Sequence, residues 1–357
     1  MRLVVDAIAV QQGSAAIVVG NVLAGWVAGW PDDEIVVLAG RSPEFPVPAG
    51  VTVETTERRL DSTLGRLAAQ SVDVRRACRR LGADALLSGV TASAFLGAPC
   101  PHAVIVYDFR HELRPEQFSP ARRLARRLLY GWSFRRADAL ACISERTRHD
   151  LVRRRPRWAE KSFAALLGAD HADGWRGGGS AASRRYVLAF GHFANKNVDG
   201  VLRAWAEHAG GADDAVVLRI CGLGGTARDA AQDLVRTLGI DERVELMPWL
   251  DDAEFAALFA GASAILFPSD FEGFGLPAVE ALRLGIPVVI SSDPALLEVT
   301  GGHAVVAAGT SPADLAAAID RALARPAEAV AAGVEHARAF TWQRTAGAIR
   351  SRLVAGT

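Results

Sequence analysis

Short apolar runs alternate with amphipathic stretches along the whole chain. The apolar runs are rich in Val, Ile, Leu and Ala and end at Gly, Pro or polar residues, which is typical of buried strands. In the first half they predict strands at Arg2–Val10, Glu34–Leu38, Val51–Glu54, Ala83–Leu87, Ala103–Tyr107 and Ala137–Ile143. In the second half they predict strands at Tyr186–Phe190, Ala215–Cys221, Val244–Met247, Ala264–Phe267, Pro287–Ile290 and His303–Val306. Strands separated by helices form parallel sheets, so the pattern predicts an α/β fold.

The pattern is interrupted once, by a stretch rich in Gly and Ser after His171. Such a composition is typical of a flexible linker, which we place at residues 171–184. The linker separates two predicted Rossmann-like domains, residues 1–170 and residues 185–340. Residues 341–357 predict a C-terminal helix, and packing back on the N-terminal domain is one arrangement open to it.

Composition limits the possible classes of protein. The 357 residues carry no net formal charge, and 50% of them are hydrophobic. This length predicts two cores rather than one, and the neutral charge argues against a dedicated nucleic-acid-binding protein. No secretory leader and no apolar stretch of about 20 residues is seen, so we expect a cytoplasmic protein with reduced thiols. The four cysteines, which form no C-x-x-C pair, are Cys78, Cys100, Cys142 and Cys221.

The most informative motif follows the fourth predicted strand of the second half. It reads Glu272-Gly-Phe-Gly-Leu-Pro277 and leads into a helix that we expect to begin at Pro277 and to end before Gly285. The first amides of a helix lack partners within the helix and carry the positive end of its dipole, so this turn suits a phosphate group. Gly273 and Gly275 let a ligand approach the backbone. The carboxylate of Glu272 can accept hydrogen bonds from hydroxyl groups, so the turn suggests a sugar nucleotide.

Two glutamates with seven residues between them, Glu272 and Glu280, stand within E-G-F-G-L-P-x-x-E-A. This motif resembles the signature of retaining GT-B glycosyltransferases of family 4 type, the glycosyl transferases group 1. The resemblance implies two Rossmann-like domains that face each other across a cleft, with the donor in the C-terminal domain and the acceptor in the N-terminal one. It implies transfer of a sugar from a nucleotide diphosphate sugar with retention of anomeric configuration. Glu272 would bind sugar hydroxyls and Glu280 the ribose. The diphosphate would lie on the amides of Gly273, Phe274, Gly275 and Leu276.

A lysine after the first strand of the second half adds to this expected donor site. Gly191-His-Phe-Ala-Asn-Lys-Asn197 resembles the G-x-x-x-x-x-K-N phosphate loop of the family. It is one residue shorter, and His192 stands where many members have arginine. We expect Lys196 to neutralise the leaving diphosphate, with Gly191, His192 and Asn197 also on the donor side. The alternative is a solvated loop lysine.

A glycine-rich segment after the next strand has two interpretations. Gly222-Leu-Gly-Gly-Thr-Ala227 satisfies the dinucleotide pattern G-x-G-x-x-A. NAD binding is disfavoured because this segment does not open the first βαβ unit of its domain and no acidic strand end follows about 20 residues later. The family resemblance instead places Gly222 beside the donor nucleotide.

The expected acceptor side lies at the strand ends of the first half. Tyr107-Asp108 resembles the N-terminal His-Asp motif of the family, with Tyr107 in place of the histidine. The resemblance implies that Asp108 acts in catalysis together with Glu272 and Lys196, and it leaves the role of the missing imidazole to His111. The alternative is that Asp108 is a buried carboxylate held by backbone amides. The acceptor-side residues are Gly13, Ser14, Tyr107 and His111.

Two helical stretches of the first half also have alternatives. Ser144 is expected to cap the helix that follows it, with direct ligand contact as the alternative. The run Ala121 to Arg136 either docks on a sheet with its charges solvated, which we favour, or lies on an anionic membrane and presents a lipid acceptor. The face of this run opposite its arginines carries Leu124, Leu128, Leu129 and Trp132.

The sequence leaves substrates open. It has no histidine cluster and no D-x-D beside a strand, so we expect no metal ion and no cofactor besides the donor co-substrate. The donor nucleotide can be UDP, GDP or dTDP, and the acceptor a small molecule, a lipid or a glycan. Two other functions remain: a nucleotide-sugar epimerase of similar build, which needs no acceptor, and a non-catalytic protein that binds sugar nucleotides.

Overall fold

The computed structural model describes residues 1–58, 60–175, 184–192, 196–209 and 216–355. The chain divides into two compact units, which are Met1–Gly168 with Thr341–Thr357 (unit 1) and Ala169–Phe340 (unit 2). The predicted linker, residues 171–184, begins as part of a 3-10 helix, Asp170–Trp175, within unit 2. The rest of that linker up to residue 183 lies outside the described residues.

Unit 1 contains a parallel sheet of seven strands in the order β3-β2-β1-β4-β5-β6-β7. The strands are β1 Arg2–Ala7, β2 Glu34–Ala39, β3 Thr52–Thr55, β4 Ala85–Ser88, β5 His102–Val106, β6 Ala139–Cys142 and β7 Ser162–Ala164. Its helices up to residue 168 are α1 Ser14–Gly29, α2 Thr63–Ala68, α3 Val74–Leu81, α4 Arg110–Leu113, α5 Pro120–Arg136 and α6 Glu145–Arg154. A π-helix, Ala69–Asp73, joins α2 to α3, and 3-10 turns lie at Pro115–Gln117 and Pro156–Trp158.

Unit 2 contains a parallel sheet of six strands in the order β10-β9-β8-β11-β12-β13. The strands are β8 Arg185–Phe190, β9 Val216–Cys221, β10 Val244–Leu246, β11 Ala264–Phe267, β12 Val288–Ile290 and β13 Val305–Val306. The helices are α7 Val198–Ala209, α8 Gly225–Leu238, α9 Asp252–Ala260, α10 Leu276–Leu284, α11 Pro294–Thr300, α12 Pro312–Leu323 and α13 Ala327–Ala337, with a 3-10 turn at Asp241–Arg243. All twelve predicted strands are therefore present, and the predicted α/β class is confirmed.

The final helix, α14 Trp342–Val354, belongs to unit 1. It approaches α1 so closely that a Cβ atom on Gly25 would lie 2.3 Å from the carbonyl carbon of Trp342. Arg350 donates to Asp33 with an Nε–Oδ2 distance of 2.8 Å, and Asp33 also accepts from Trp26 Nε1 at 2.9 Å. Trp342 is buried. The helix thus completes the packing of α1.

Both sheets reverse their strand order at one point. In unit 1, β1 has β2 on one side and β4 on the other, and in unit 2, β8 has β9 on one side and β11 on the other. Successive crossovers leave such a point in opposite directions, which opens a crevice beyond the carboxyl ends of the strands. None of the helices described is both long and apolar enough to cross a bilayer.

Candidate functional site

The predicted glutamate turn lies at the crevice of unit 2, between β11 and α10. The helix begins at Leu276, one residue before the predicted start, and its N-cap is Gly275 with a φ angle of +99°. No side chain caps this N-terminus. A Cβ atom at Gly275 would lie 2.3 Å from Leu296 Cδ2, so both conformation and space favour glycine here. The first amides of α10 are therefore not covered by a capping side chain, as an anion site requires.

Glu272 and Lys196 form an ion pair at this turn. Lys196 follows β8 and Glu272 follows β11, and their Nζ and Oε1 atoms are 2.7 Å apart. The Lys196 side chain is only 6% exposed, and its ammonium lies 4.0 Å from the centroid of the Phe267 ring. Ser269 Oγ donates to the same Glu272 oxygen at 2.5 Å. Two of the predicted site residues, 76 positions apart in sequence, thus meet at the reversal point of the sheet.

His192 lies beside this pair on the loop after β8. Part of the residue is exposed to solvent. Desolvation of the rest, together with the positive charge of Lys196, lowers the pKa of His192 to about 4. The imidazole is therefore neutral at pH 7 and adds a hydrogen-bonding group, not a second fixed charge. Residues 193–195 of the same predicted loop lie outside the described residues.

Asp293 holds the backbone of the glutamate turn, which the sequence reasoning missed. Its Oδ2 accepts from the Glu272 amide at 3.4 Å, while its Oδ1 accepts from the Ala295 amide at 2.9 Å and so caps α11. Ser291 Oγ donates to the Ser269 carbonyl at 2.5 Å. The sequence signal was available, since an Asp directly before Pro294 is typical of a helix start.

Glu280 points toward the start of unit 2 from within α10. Its carboxylate is nearly buried and lies 3.1 Å from His171 Nε2. The His171 ring packs against Trp175, with ring centroids 5.4 Å apart. His171 falls in the stretch predicted as linker, so its contact with a predicted site residue was missed. A ribose at Glu280 would have to share this carboxylate with His171.

The loops after β8 and β9 touch each other. Gly191 N donates to Cys221 O at 2.8 Å, and a Cβ atom at Gly222, whose φ is +79°, would lie 3.0 Å from the His192 Cβ. Asn197 is also left-handed, with a φ angle of +54°, and its carbonyl accepts from the Val201 amide in the first turn of α7. These residues shape the backbone of the crevice.

A tryptophan stands at the same edge of the sheet, after β10. Trp249 is 85% exposed. The backbone just before it is fixed, because the Arg228 guanidinium donates to the carbonyls of Met247 at 2.6 Å and Leu246 at 2.8 Å. An exposed aromatic face on a fixed backbone can stack on a planar base. Phe274, by contrast, is 2% exposed and packs on Phe340, so it can meet a ligand only through its backbone.

In unit 1, the predicted residues cluster after β5. The Tyr107 hydroxyl donates to the Gly89 carbonyl, which follows β4, at 2.8 Å. Asp108 Oδ1 accepts from the Arg110 amide at 2.8 Å, and the carboxylate keeps part of its surface exposed. Burial and the charge of Asp108 raise the pKa of Tyr130 to about 12, which places Asp108 near that ring. Asp108 is thus half-buried, so its state lies between a carboxylate open to a ligand and a buried carboxylate held by backbone amides, the two alternatives given by the sequence.

His111 does not lie where the sequence reasoning placed it. Its side chain is 0% exposed. It packs against Tyr130 with ring centroids 5.0 Å apart, and its Nε2 is 3.5 Å from Glu112 Oε1. In this structure His111 is therefore a core residue without a face open to an acceptor. Its neighbours explain this, because Phe109 and Tyr130 enclose it in an aromatic cluster.

Gly13 and Ser14 lie at the exposed start of α1, after β1. Gly13 has a φ angle of +109° and no side chain caps the helix. The sequence reasoning missed the buried carboxylate at the end of β1, Asp6, which accepts from the Ser93 hydroxyl. Ser144 caps α6, as predicted, by accepting from the Thr147 amide at 3.0 Å. Among the residues that the structure describes, no group of three His, Cys, Asp or Glu side chains could hold a metal ion.

The family model described as glycosyl transferases group 1 matches residues 177–339. The match covers a little less than half of the chain. The predicted resemblance to the glycosyl transferases group 1 is confirmed over these residues, and the match contains the glutamate turn, Lys196 and Glu280. Among curated proteins, the MMP alpha-(1->4)-mannosyltransferase of Mycolicibacterium hassiacum is 40% identical over 122 residues, which is 32% of this chain and 30% of that protein. The chain spans less than half the length of the curated relatives it matches first.

Solved structures of glycosyltransferases match the whole chain. Sucrose-phosphate synthase from Thermosynechococcus elongatus has a TM-score of 0.78 at 17% identity, with both chains covered to 100%. Anabaena HepE, solved in complex with UDP-glucose, has a TM-score of 0.74 at 18% identity over 99% of this chain and 100% of that one. At these identities the likeness concerns the fold alone. Together with the two parallel sheets, it confirms the predicted GT-B fold.

Proposed function

We propose that the protein transfers a sugar from a nucleotide diphosphate sugar to an acceptor, with retention of anomeric configuration. The observation that carries this proposal is the meeting of Lys196 and Glu272 at the uncapped N-terminus of α10. A cation and the N-terminus of a helix suit a diphosphate, and a carboxylate beside them suits sugar hydroxyls. The family match over residues 177–339 supports this assignment.

The donor is proposed to lie along the crevice of unit 2. Lys196, the amides of Gly273 to Leu276 and the His192 ring would meet the diphosphate, and Glu272 would turn from the lysine to the sugar. Glu280 would take the ribose, in exchange for part of its contact with His171. Trp249 would stack on the nucleobase. The UDP-glucose complex of the structurally similar Anabaena protein supports a donor of this class.

Catalysis is proposed to rest on positioning and charge stabilisation. Lys196 and the α10 amides would neutralise the leaving diphosphate without a metal ion. Asp108, on the acceptor side of unit 1, would face the acceptor. The acceptor itself is proposed to be a small molecule, a lipid or a glycan, and no further cofactor is needed for this chemistry.

Calorimetric titration with UDP, GDP and dTDP tests the donor site. We expect one of these nucleotides to bind, and Lys196→Ala to weaken it roughly 10- to 100-fold, because a charge-assisted contact is worth about 1.5 to 3 kcal/mol. Arg203→Ala is the matched control, since Arg203 is also a cation that is paired with a carboxylate, on exposed surface of α7. Equal losses in both variants, or no binding of any of the three, would overturn the proposal.

The transfer step is tested with the nucleotide sugar that this titration selects. We expect transfer to survive a chelator, and the anomeric configuration of the product, read by NMR, to match that of the donor. Activity that disappears in EDTA and returns with Mg²⁺ or Mn²⁺ would contradict the metal-free part of the proposal. Conversion of the sugar nucleotide without any acceptor would favour an epimerase instead.

A further inference from the structure

Helix α5 exposes the apolar stripe that an ordinary surface helix buries. Leu124, Leu128 and Trp132 are 58%, 62% and 52% exposed, and they follow one another at spacings of four residues along one side of the helix. The helix is anchored instead through Ser133 and Phe134, which are fully buried. Phe134 packs with Val104 of β5 and Leu140 of β6, so the helix does dock on the sheet, but Leu124, Leu128 and Trp132 take no part in this docking.

A neighbouring loop extends the stripe into a patch. The Phe95 ring packs on Trp132 with centroids 5.9 Å apart, and the next residue, Leu96, is 49% exposed. Arg75 Nη1 donates to the carbonyls of Leu96 and Gly97, each at 3.0 Å, and so fixes this loop. We call Leu96, Leu124, Leu128 and Trp132 the α5 patch.

The charge around the α5 patch has one sign. Between Ser119 and Ala137 the helix has six arginines and no acidic residue. At about 100° per residue, Arg123 and Arg127 lie about 100° to one side of the row formed by Leu124 and Leu128, and Arg136 lies about 40° beyond Trp132 on the other side. Arg122 and Arg126 lie on the face nearly opposite the leucines and stack on Phe118, at 5.7 and 5.0 Å from its centroid. The long apolar stems of the flanking arginines let their head groups reach past a stripe that enters an apolar phase.

We propose that the α5 patch lies in the interface of an anionic lipid bilayer. The leucines and Trp132 would enter the boundary between head groups and acyl chains, and the flanking arginines would contact lipid phosphates. A bilayer fits better than a protein partner because the patch is narrow, has arginines on both sides and has no acidic residue along the helix to pair with a partner's cations. This proposal concerns the surface to which unit 1 binds, not the transfer reaction, and it therefore goes beyond the proposed function.

Vesicle flotation tests the proposal. We expect the protein to bind vesicles of phosphatidylglycerol and phosphatidylcholine at least tenfold more tightly than vesicles of phosphatidylcholine alone, with binding that weakens as salt rises. Leu124→Ser with Leu128→Ser should lower binding at least tenfold. Leu297→Ser, which alters an exposed leucine of unit 2, is the control and should leave binding unchanged. Arg123→Gln with Arg127→Gln should weaken binding and reduce its dependence on salt.

Tryptophan fluorescence shows which surface enters the lipid. Anionic vesicles should shift the emission of the protein to the blue, and Trp132→Phe should remove that shift while the melting temperature stays the same. Absence of vesicle binding, equal binding to both vesicle types, or a dimer in light scattering that the double leucine variant dissolves would each overturn the proposal. Nucleotide titrations on the same variants separate this outcome from the proposed function, because they concern only unit 2.

Discussion

The cationic and anionic side chains of the proposed donor site bind each other before any substrate arrives. Lys196 and Glu272 share one contact of 2.7 Å in a partly desolvated crevice, where charges attract more strongly than in water. A diphosphate that binds as proposed must therefore compete with Glu272 for the ammonium. In the proposed function, the same competition would release the carboxylate for sugar hydroxyls.

Removing the charge of Glu272 should change the affinity for the nucleotide diphosphate and the rate of transfer in opposite ways. We expect Glu272→Gln to tighten binding of the bare nucleotide diphosphate several-fold, because a neutral amide holds Lys196 less strongly. Transfer should still fall by roughly 10² in kcat, which is the scale for loss of a group that acts in the transition state. Calorimetry and steady-state rates measure the two effects, with the exposed Glu242→Gln as a control. Weaker nucleotide binding in Glu272→Gln would contradict this role.

Single residues of this site could be predicted from sequence, but their partners could not. The motif around Glu280 was recognisable, whereas His171 lies 109 positions away and no local pattern joins them. His111 was misplaced for the same kind of reason. Its burial depends on Phe109 and Tyr130, which surround it only after the chain has folded.

Helices and strands could be predicted from sequence wherever the spacing of hydrophobic residues is enough to determine the type of element. Twelve strands could be recognised as apolar runs, while β7, Ser162–Ala164, is three residues long and has no such run. The amphipathic pattern of α5 predicted a helix correctly, yet it could not say which face is covered. That depends on what the neighbouring elements leave room for, since the docked residues Ser133 and Phe134 lie at one end of the helix.

The contact between α1 and α14 gives a prediction at the scale of elements. Alanine in place of a helical glycine normally stabilises a helix by about 0.5 to 1 kcal/mol. We expect Gly25→Ala to destabilise by about 1 to 3 kcal/mol instead, because its Cβ would overlap the Trp342 backbone, which cannot rotate away. Gly131→Ala on α5 is the control, since nothing lies within 4 Å of the added atom.

Urea unfolding followed by tryptophan fluorescence compares the two glycine variants. The control should be as stable as the wild type or slightly more stable. If both variants gain stability, then α14 does not pack against α1 as described.

At the scale of the molecule, we expect two buried groups of unit 1 to make the free energy of unfolding depend on pH in opposite directions. Burial lowers the pKa of His102 to about 4, so the unfolded chain binds more protons between pH 4 and 6.5 and stability rises with pH there. Burial raises the pKa of Asp6 to about 6, although Ser93 and the Ile8 amide donate to it. The folded chain then binds more protons between pH 3.8 and 6, so stability falls as pH rises. Each shift corresponds to about 3 kcal/mol.

Substitution of each buried group should show how much that group contributes to the change of the free energy of unfolding with pH. Between pH 4 and 6, Asp6→Asn should gain stability with rising pH more steeply than the wild type, and His102→Gln should lose the rise that His102 supplies. His149→Gln, at an exposed position, should follow the wild type. Midpoints of urea unfolding at several pH values measure these slopes. Parallel curves for all four proteins would show that neither buried group is linked to folding.

The position of α14 in the chain matters for how the protein is made. Synthesis proceeds from unit 1 through all of unit 2 before residues 341–355 appear, yet α14 packs on α1, near the start. Until then α1 lacks the cover that Trp342, Ile349 and Leu353 provide. A growing chain therefore presents an apolar helix face to the cell throughout the translation of unit 2. That face is a natural target for a chaperone, and a ribosome that stops early would leave it permanently open.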